Sequence, residues 1–331
     1  MRLPVQVTGF AALTSLLSVF ITSVTAYADP LPCEGTCTNT HDPSLIQRAS
    51  DGTYFRFATG GGMSIHTAPS IQGPWTFVGE VLENGSSIDN SGADDAWAPD
   101  VHLVGDMYHV YYSVSTFGTQ ESVIGVATSE SMDPGTWTDH GSIGLSSTEG
   151  DDYNAIDANL FQSEDVDYMS FGSFWGDLFQ TTMNGDALTV TGDAPYQIEL
   201  NDTGTRPSEA AYIFQHDENY YLFFSSGICC GYSDTMPAPG EEYKIMVCRS
   251  ETVTGGYVDA DGTSCLEKGG TQVLGSHGTV YGPGGQGVYD DPSLGPVVYY
   301  HYVDTTIGYA DGDKRLGVNV LNWSDDGWPS V

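Results

Sequence analysis

Apolar and polar residues alternate with a period of two along most of this chain. The alternation is plainest in aromatic runs: "TYFRFAT" (53–59), "MYHVYYSVS" (107–115), "DYMSFGSF" (167–174), "YYLFFSS" (220–226) and "VVYYHYV" (297–303). A period of two places successive side chains on opposite faces and predicts strands, and no long 3.6-residue pattern competes with it. Each run follows a short segment that starts with an acid, at Asp42, Asp100, Asp157, Glu209 and, within a second "DPSL", Asp291. A polar pair such as Asp51-Gly52 or Asp217-Glu218 often lies between the two. A strand of small residues comes next, clearest in "SVIGVATSES" and "YKIMVCRSE". A strand marked by Gly or Trp closes the unit, as in "GPWTFVGEVL", "GTWTDHGSIG" and "GWPSV".

Four strands per unit, in five units of roughly fifty to sixty residues, predict a five-bladed β-propeller in one all-β domain. The longer fourth interval holds "SSGICCGYSDTMPAPGEE", which predicts a loop inserted on one face. The innermost strands of a propeller line a central channel. Acids far apart in sequence then meet at its mouth, and the two DPSL segments are expected to open the inner strands of the first and last blades. The residues alone leave all five acids as candidates, each with a turn-capping alternative.

Residues 1–28 stand apart. The apolar stretch Phe10 to Val24 follows Arg2 and precedes the small-residue site Ala26-Tyr27-Ala28, the pattern of a secretory signal peptide cut after Ala28. The propeller domain is then 29–331. The stretch is short for a membrane span. With 9 basic and 44 acidic residues the net charge is −35, which disfavours nucleic acid and anionic membranes as partners. The acids are scattered among Gly and aromatic residues, unlike a disordered tail. Three sequons, at Asn84, Asn201 and Asn322, fit a secreted glycoprotein. Six cysteines in an oxidising compartment are expected to pair: Cys33 with Cys37 as a clasp, Cys248 with Cys265 across a loop. For the adjacent Cys229 and Cys230 a bridge is expected to be strained, and no zinc-like cluster surrounds them.

The stretches "HDPS" (41–44), "WAPDV" (97–101), "NAIDANL" (154–160), "GSFW" (172–175), "RPSEAAYI" (206–213) and "YYHYVD" (299–304) resemble the secreted arabinanases of glycoside hydrolase family 43. The likeness runs in order over nearly all of 29–331, with one departure, Ala211 where that family usually has proline. It implies a secreted, inverting hydrolase that cuts internal α-1,5 bonds of arabinan and needs no cofactor for its chemistry. Asp42 would be the general base, Glu209 the general acid, and Asp157 the residue that orients the acid and raises its pKa. Trp97, Phe117, Asn154, Trp175 and Arg206 would bind substrate. His301 would approach a central ion, often calcium, through waters. Asp100 would be scaffold and substrate wall. His41 stays open between cleft wall and turn residue, and a monomer is the default. The competing expectations are an exo-acting arabinofuranosidase or xylosidase on the same fold, and a sugar-binding propeller without catalysis.

Overall fold

The structure is a computed structural model that describes Met1, residues 27–205 and residues 207–331. Most of the expected signal peptide lies outside the described residues. Among the described residues no helix is long and apolar enough to cross a membrane.

The chain folds into five antiparallel sheets arranged as the blades of a propeller, as the alternating pattern predicts. Blade 1 holds β1 (Ser44–Gln47), β2 (Tyr54–Ala58), β3 (Ser64–Ala68) and β4 (Thr76–Glu80). Blade 2 holds β5 (Trp97–Val104), β6 (Met107–Val114), β7 (Ser122–Ser129) and β8 (Thr138–Ser147). Blade 3 holds β9 (Asn159–Phe161), β10 (Tyr168–Phe171), β11 (Leu178–Thr182) and β12 (Tyr196–Glu199). Blade 4 holds β13 (Ser208–His216), β14 (Asn219–Ser226), β15 (Lys244–Ser250) and β16 (Thr271–Leu274). Blade 5 holds β17 (Val280–Asp291), β18 (Gly295–Asp304) and β19 (Arg315–Val320). A two-stranded hairpin, β20 (Asn322–Trp323) and β21 (Pro329–Ser330), ends the chain.

Two expectations need correction here. "GWPSV" is not the outer strand of the last blade but part of the β20–β21 hairpin. The edge of β19 is instead covered by the N-terminal segment. Leu31 N–H donates to Val318 O, Leu316 N–H to Cys37 O, and Thr38 bridges Arg315. The two ends of the chain thus close one sheet, which shields an edge that would otherwise pair with another chain. The Cys33–Cys37 bridge clasps this segment. In addition, the second DPSL does not open an inner strand. Asp291 ends β17, and its Oδ1 accepts the N–H groups of Ser293 and Leu294 in the β17–β18 turn.

Successive side chains take opposite faces, and strands such as β2 and β6 are buried along nearly their whole length, so both faces of a blade pack against its neighbours. A separate apolar cluster fills every junction. Phe55 and Ile65 meet Val110 and Tyr112 between blades 1 and 2, and Tyr111 and Val126 meet Leu160 and Phe171 between blades 2 and 3. Ile198 packs with Ile213 and Leu222 between blades 3 and 4. Phe223 and Val247 meet Val288 and Tyr300 between blades 4 and 5, while Leu45 and Trp75 meet Val297 and Val318 between blades 5 and 1.

A second repeat is built on backbone conformation. One residue of each blade is left-handed near the head of the inner strand or, in β17, at its mid-strand irregularity: Asp42 (φ 42°), Ala98 (46°), Asp157 (57°), Ala210 (55°) and Gly285 (57°). Two residues further on, Ser44, Asp100 and Asn159 accept the N–H of Val101, Leu160 and Ile213 in the next blade, at 2.9, 2.8 and 2.9 Å. These are equivalent inter-blade clasps. They show that Asp100 is the counterpart of Ser44 and Asn159, not of Asp42.

Candidate active site

The left-handed residues all lie at one end of the channel. Asp42, Asp157, Ala210 and Gln286 line it together with Asp100 and Tyr299. Each inner strand leads away from this face and each second strand returns to it. The loops joining second and third strands therefore rim the same face, at 59–63, 115–121, 172–177, 227–243 and 305–314.

The N–H of each left-handed residue turns inward and needs an acceptor. In four blades the preceding blade's second strand, or the residue just after it, supplies one. Asp42 N–H donates to His301 Nδ1 (3.1 Å), Ala98 to Thr59 Oγ1 (2.8 Å), Asp157 to Ser113 Oγ (3.1 Å) and Gly285 to Ser225 Oγ (3.0 Å). Blade 4 is the exception. Ala210 N–H donates to Asp157 Oδ2 at 3.1 Å, so a carboxyl group of blade 3 is held directly beside Glu209.

Asp42 has a side chain 24% exposed, its Oδ2 accepting the Thr59 hydroxyl at 3.0 Å and its Oδ1 3.3 Å from His301 Nδ1 and 3.7 Å from His41 Nε2. Burial works against its ionised form. The neighbouring His41, His301 and Lys314 outweigh burial and hold the carboxyl well below the usual carboxylate range. Burial pushes His41 down to about 3 and His301 down to about 4, so both are neutral above those values. Lys314, 1% exposed at its side chain, is the lasting positive charge of the group. Its Nζ sits 3.1 Å from His41 Nε2 and 3.1 Å from Asp311 Oδ1.

Glu209 on β13 is 8% exposed. Burial raises its pKa, Asp42's charge adds to the rise, and hydrogen bonds from Ser173 and Tyr243 oppose it. The Ser173 hydroxyl donates to Oε2 at 2.6 Å. Asp157 is raised well above the ordinary range by burial, then by Glu209 and Asp42. The raised Asp157–Glu209 pair and the depressed Asp42 stand at one channel mouth. Carboxyl groups pushed in opposite directions in one site are the arrangement that lets one act as acid and another as base.

The other expected residues fall in different places. Phe117, on the 115–121 loop, is 81% exposed and offers a free ring on the rim. Trp97 is half-buried, its indole N–H donating to Asp95 Oδ2 at 3.0 Å. Trp175 is half-buried on the 172–177 loop. Asn154 is 3% exposed and its Oδ1 accepts from Ser122 at 2.7 Å and Ser147 at 3.4 Å, which ties blade 2 to the start of blade 3. Arg206 lies outside the described residues. His301 is fully buried, and its Nδ1 does for Asp42 what Thr59, Ser113 and Ser225 do elsewhere. Its Nε2 then carries the ring proton and is buried with no partner among the described residues. Such an atom suits an ordered water. It does not offer the oxygen ligands that calcium takes. The residues therefore fit a hydrated ion met through water, not one ligated by the ring.

Ser173, Thr59, Tyr243 and Lys314 were not picked out in the sequence. Hydroxyl partners leave no mark in a β-rich chain. Lys314 carried a faint one, as a scarce base within "DGDKR".

A family model described as Glycosyl hydrolases family 43 matches residues 37–329. The chain is 60% identical to a probable arabinan endo-1,5-α-L-arabinosidase A of Aspergillus flavus, over 93% of this chain and 95% of that one. Among solved structures, it is similar to a GH43 endo-arabinanase from Bacillus licheniformis (TM-score 0.79, 30% identity, covering 91% and 99% of the two chains). It is also similar to an exo-1,5-α-L-arabinanase from a bovine ruminal metagenomic library (TM-score 0.80, 27% identity, 91% and 99%).

Proposed function

The chain belongs to glycosyl hydrolase family 43, and from that premise we propose that it is a secreted endo-1,5-α-L-arabinanase working by inversion. Glu209 serves as general acid, Asp42 as general base and Asp157 as the group that positions the acid. The observation that carries this reading is the convergence of Asp42, Asp157 and Glu209 at one channel mouth, in surroundings that favour the ionised form of Asp42 and the protonated form of Glu209.

The steps follow from those protonation states. Glu209, kept protonated by burial, gives its proton to the glycosidic oxygen as the bond from that oxygen to the anomeric carbon breaks. Asp42, kept ionised, takes a proton from a water, whose oxygen attacks the anomeric carbon from the opposite face. Ser173 and Tyr243 fix the rotamer of Glu209, and Thr59 fixes that of Asp42. Asp157 holds the backbone beside Glu209 through Ala210. A hydrated calcium met by His301, when bound, supplies positive charge near Asp42; the proton transfers need no other group. Phe117 and Trp97 offer ring faces to the apolar sides of the sugars, with Trp175 and Arg206 as further contacts.

The endo mode is supported by the name of the 60% identical relative. The fold does not decide it, since an exo-acting relative superposes equally well. Secretion is supported by the leader pattern and by three disulfides, Cys33–Cys37, Cys229–Cys230 and Cys248–Cys265. The expected form is a monomer. The test is to incubate the protein with linear debranched arabinan and follow products by chromatography and early-time proton NMR. Short oligosaccharides whose new ends first appear as the β-anomer are expected. Arabinose alone would mark an exo enzyme, and binding without release would mark a sugar-binding propeller.

A further inference from the structure

We propose that the Cys229–Cys230 disulfide is a sugar-contacting wall of the cleft, packing its sulfur edge against the arabinofuranosyl unit held over Asp42. This rests on the arabinan-hydrolase reading above.

Position is the first reason. The two cysteines open the 227–243 loop of blade 4, which rims the face where the carboxyl groups converge. The loop reaches across the channel mouth to blades 1 and 5. Cys230 Sγ lies 3.7 Å from His41 Nε2 and 3.7 Å from Lys314 Nζ. His41 Nε2 is in turn 3.7 Å from Asp42 Oδ1. A single atom, His41 Nε2, therefore lies within 3.7 Å of both the sulfur and the base, which puts the disulfide beside Asp42 on the same wall.

The loop is also held to register. Ile228 N–H donates to Glu241 O at 2.8 Å and Tyr243 N–H to Ile228 O at 3.1 Å, closing its base just beyond the bridge. Tyr243, at the far end of the same loop, stacks on His301 and hydrogen-bonds Glu209. The disulfide is thereby referenced to both the base and the acid.

Of the other two bridges, Cys248–Cys265 is fully buried, as structural cross-links usually are, and Cys33–Cys37 has one buried end, Cys37 at 5% exposure, and one part-exposed end, Cys33. Cys229 and Cys230 are both part-exposed. A bridge between neighbours closes almost no loop, so it removes little entropy from the unfolded chain and contributes little to stability that way. Its effect is to lock two residues into one rigid unit with a soft, apolar, polarisable edge. The nearby groups of the cleft, Asp42, His41, Lys314 and Asp311, are polar or charged. An apolar strip among them supplies what the C–H side of a sugar needs, and it orders no flexible side chain on binding. Lys314 fixes the strip from behind. The three N–H groups of its ammonium are taken by His41 Nε2, Asp311 Oδ1 and Cys230 Sγ.

The test is the double variant Cys229→Ser/Cys230→Ser on linear arabinan. KM is expected to rise about tenfold, as for a lost apolar pocket contact, with kcat within about twofold. An unchanged KM in a variant of native circular dichroism would overturn the proposal. A second measurement avoids any dependence on refolding. In Glu209→Gln protein under a mild phosphine, arabinotriose should slow alkylation of Cys229 and Cys230 severalfold while leaving Cys33 and Cys37 unaffected. Equal rates with and without sugar would likewise overturn it. Wild-type protein that releases nothing from arabinan would instead defeat the underlying hydrolase reading.

Discussion

Asp157 Oδ2 accepts the backbone N–H of Ala210 at 3.1 Å, which makes blade 4 the one blade whose left-handed residue is held by a carboxyl group. The bond fixes the main chain next to Glu209. It also buries Asp157 where burial and the charges of Glu209 and Asp42 raise its pKa. A raised carboxyl keeps its proton in the folded chain at a pH where the unfolded chain has lost it. Its stabilising effect is complete below the unfolded value and is lost as pH rises through the folded one. Asp157→Asn keeps the acceptor and removes the titration. Its Tm should match wild type below about pH 3.9 and exceed it by about 2–4 °C at pH 7. Turnover should fall at both. Calorimetry at the two pH values checks the sign, and a lower Tm at pH 7 would contradict it.

Asp42 and Glu209 predict the limbs of the pH–activity profile. The active form has Asp42 ionised and Glu209 protonated. The acid limb should lie below the ordinary carboxylate range, because Asp42 is depressed, and the alkaline limb above it, because Glu209 is raised. Asp42→Asn and Glu209→Gln should each lower kcat by about 10²–10⁴-fold with folding intact. Glu209→Gln should also lose the alkaline limb on a substrate with an aryl leaving group, which needs no proton. Persistence of that limb would move the acid role elsewhere.

Gly285→Ala should inactivate without unfolding. The residue has φ +57°, and an added Cβ would stand 2.4 Å from Asp42 Oδ1 and 2.7 Å from His301 Nδ1. The methyl group must push the base aside, and a displacement of about 1 Å is enough for a hundredfold loss. Gly105→Ala, with φ +59° and nothing within 4 Å of its Cβ, is the matched control. Comparable kcat in the two variants would show that Asp42 tolerates displacement.

Asp100→Ala should cost stability more than chemistry. Asp100 accepts Leu160 N–H at 2.8 Å and the Asn159 amide at 3.3 Å, and lies 2.8 Å from His102 Nε2. Truncation leaves a buried backbone N–H without its partner, at a cost of about 1–3 kcal/mol. Denaturant unfolding should register that loss while kcat of the folded fraction stays near wild type. A fully stable, inactive variant would return Asp100 to the chemistry.

Phe117→Ala should do the opposite. At 81% exposure the ring supports no core, so Tm should hold. KM for arabinan should rise severalfold with kcat nearly unchanged, the mark of lost uniform binding. An unchanged KM would remove Phe117 from the cleft.

By itself the sequence determined the strand content, the five units, the presence and length of the blade 4 insertion and, through motifs shared with a known family, three of the carboxyl groups now seen together. Period-two alternation is a local property, and each of these follows from it or from a short motif. Tertiary structure decided which acids are equivalent. Asp42, Ala98, Asp157, Ala210 and Gly285 share one left-handed conformation. Alternation records which face a side chain takes and says nothing about the sign of φ, so an alanine in that role leaves no trace. For the same reason Asp100 looked like a partner of Asp42, although it stands two residues further along its strand, and Asp291 looked like an inner-strand acid although it caps a turn. The covering of β19 by residues 31–38 and the approach of Cys230 and Lys314 to His41 were equally hidden. They join segments far apart in the chain, and only closing the ring of blades brings them within reach.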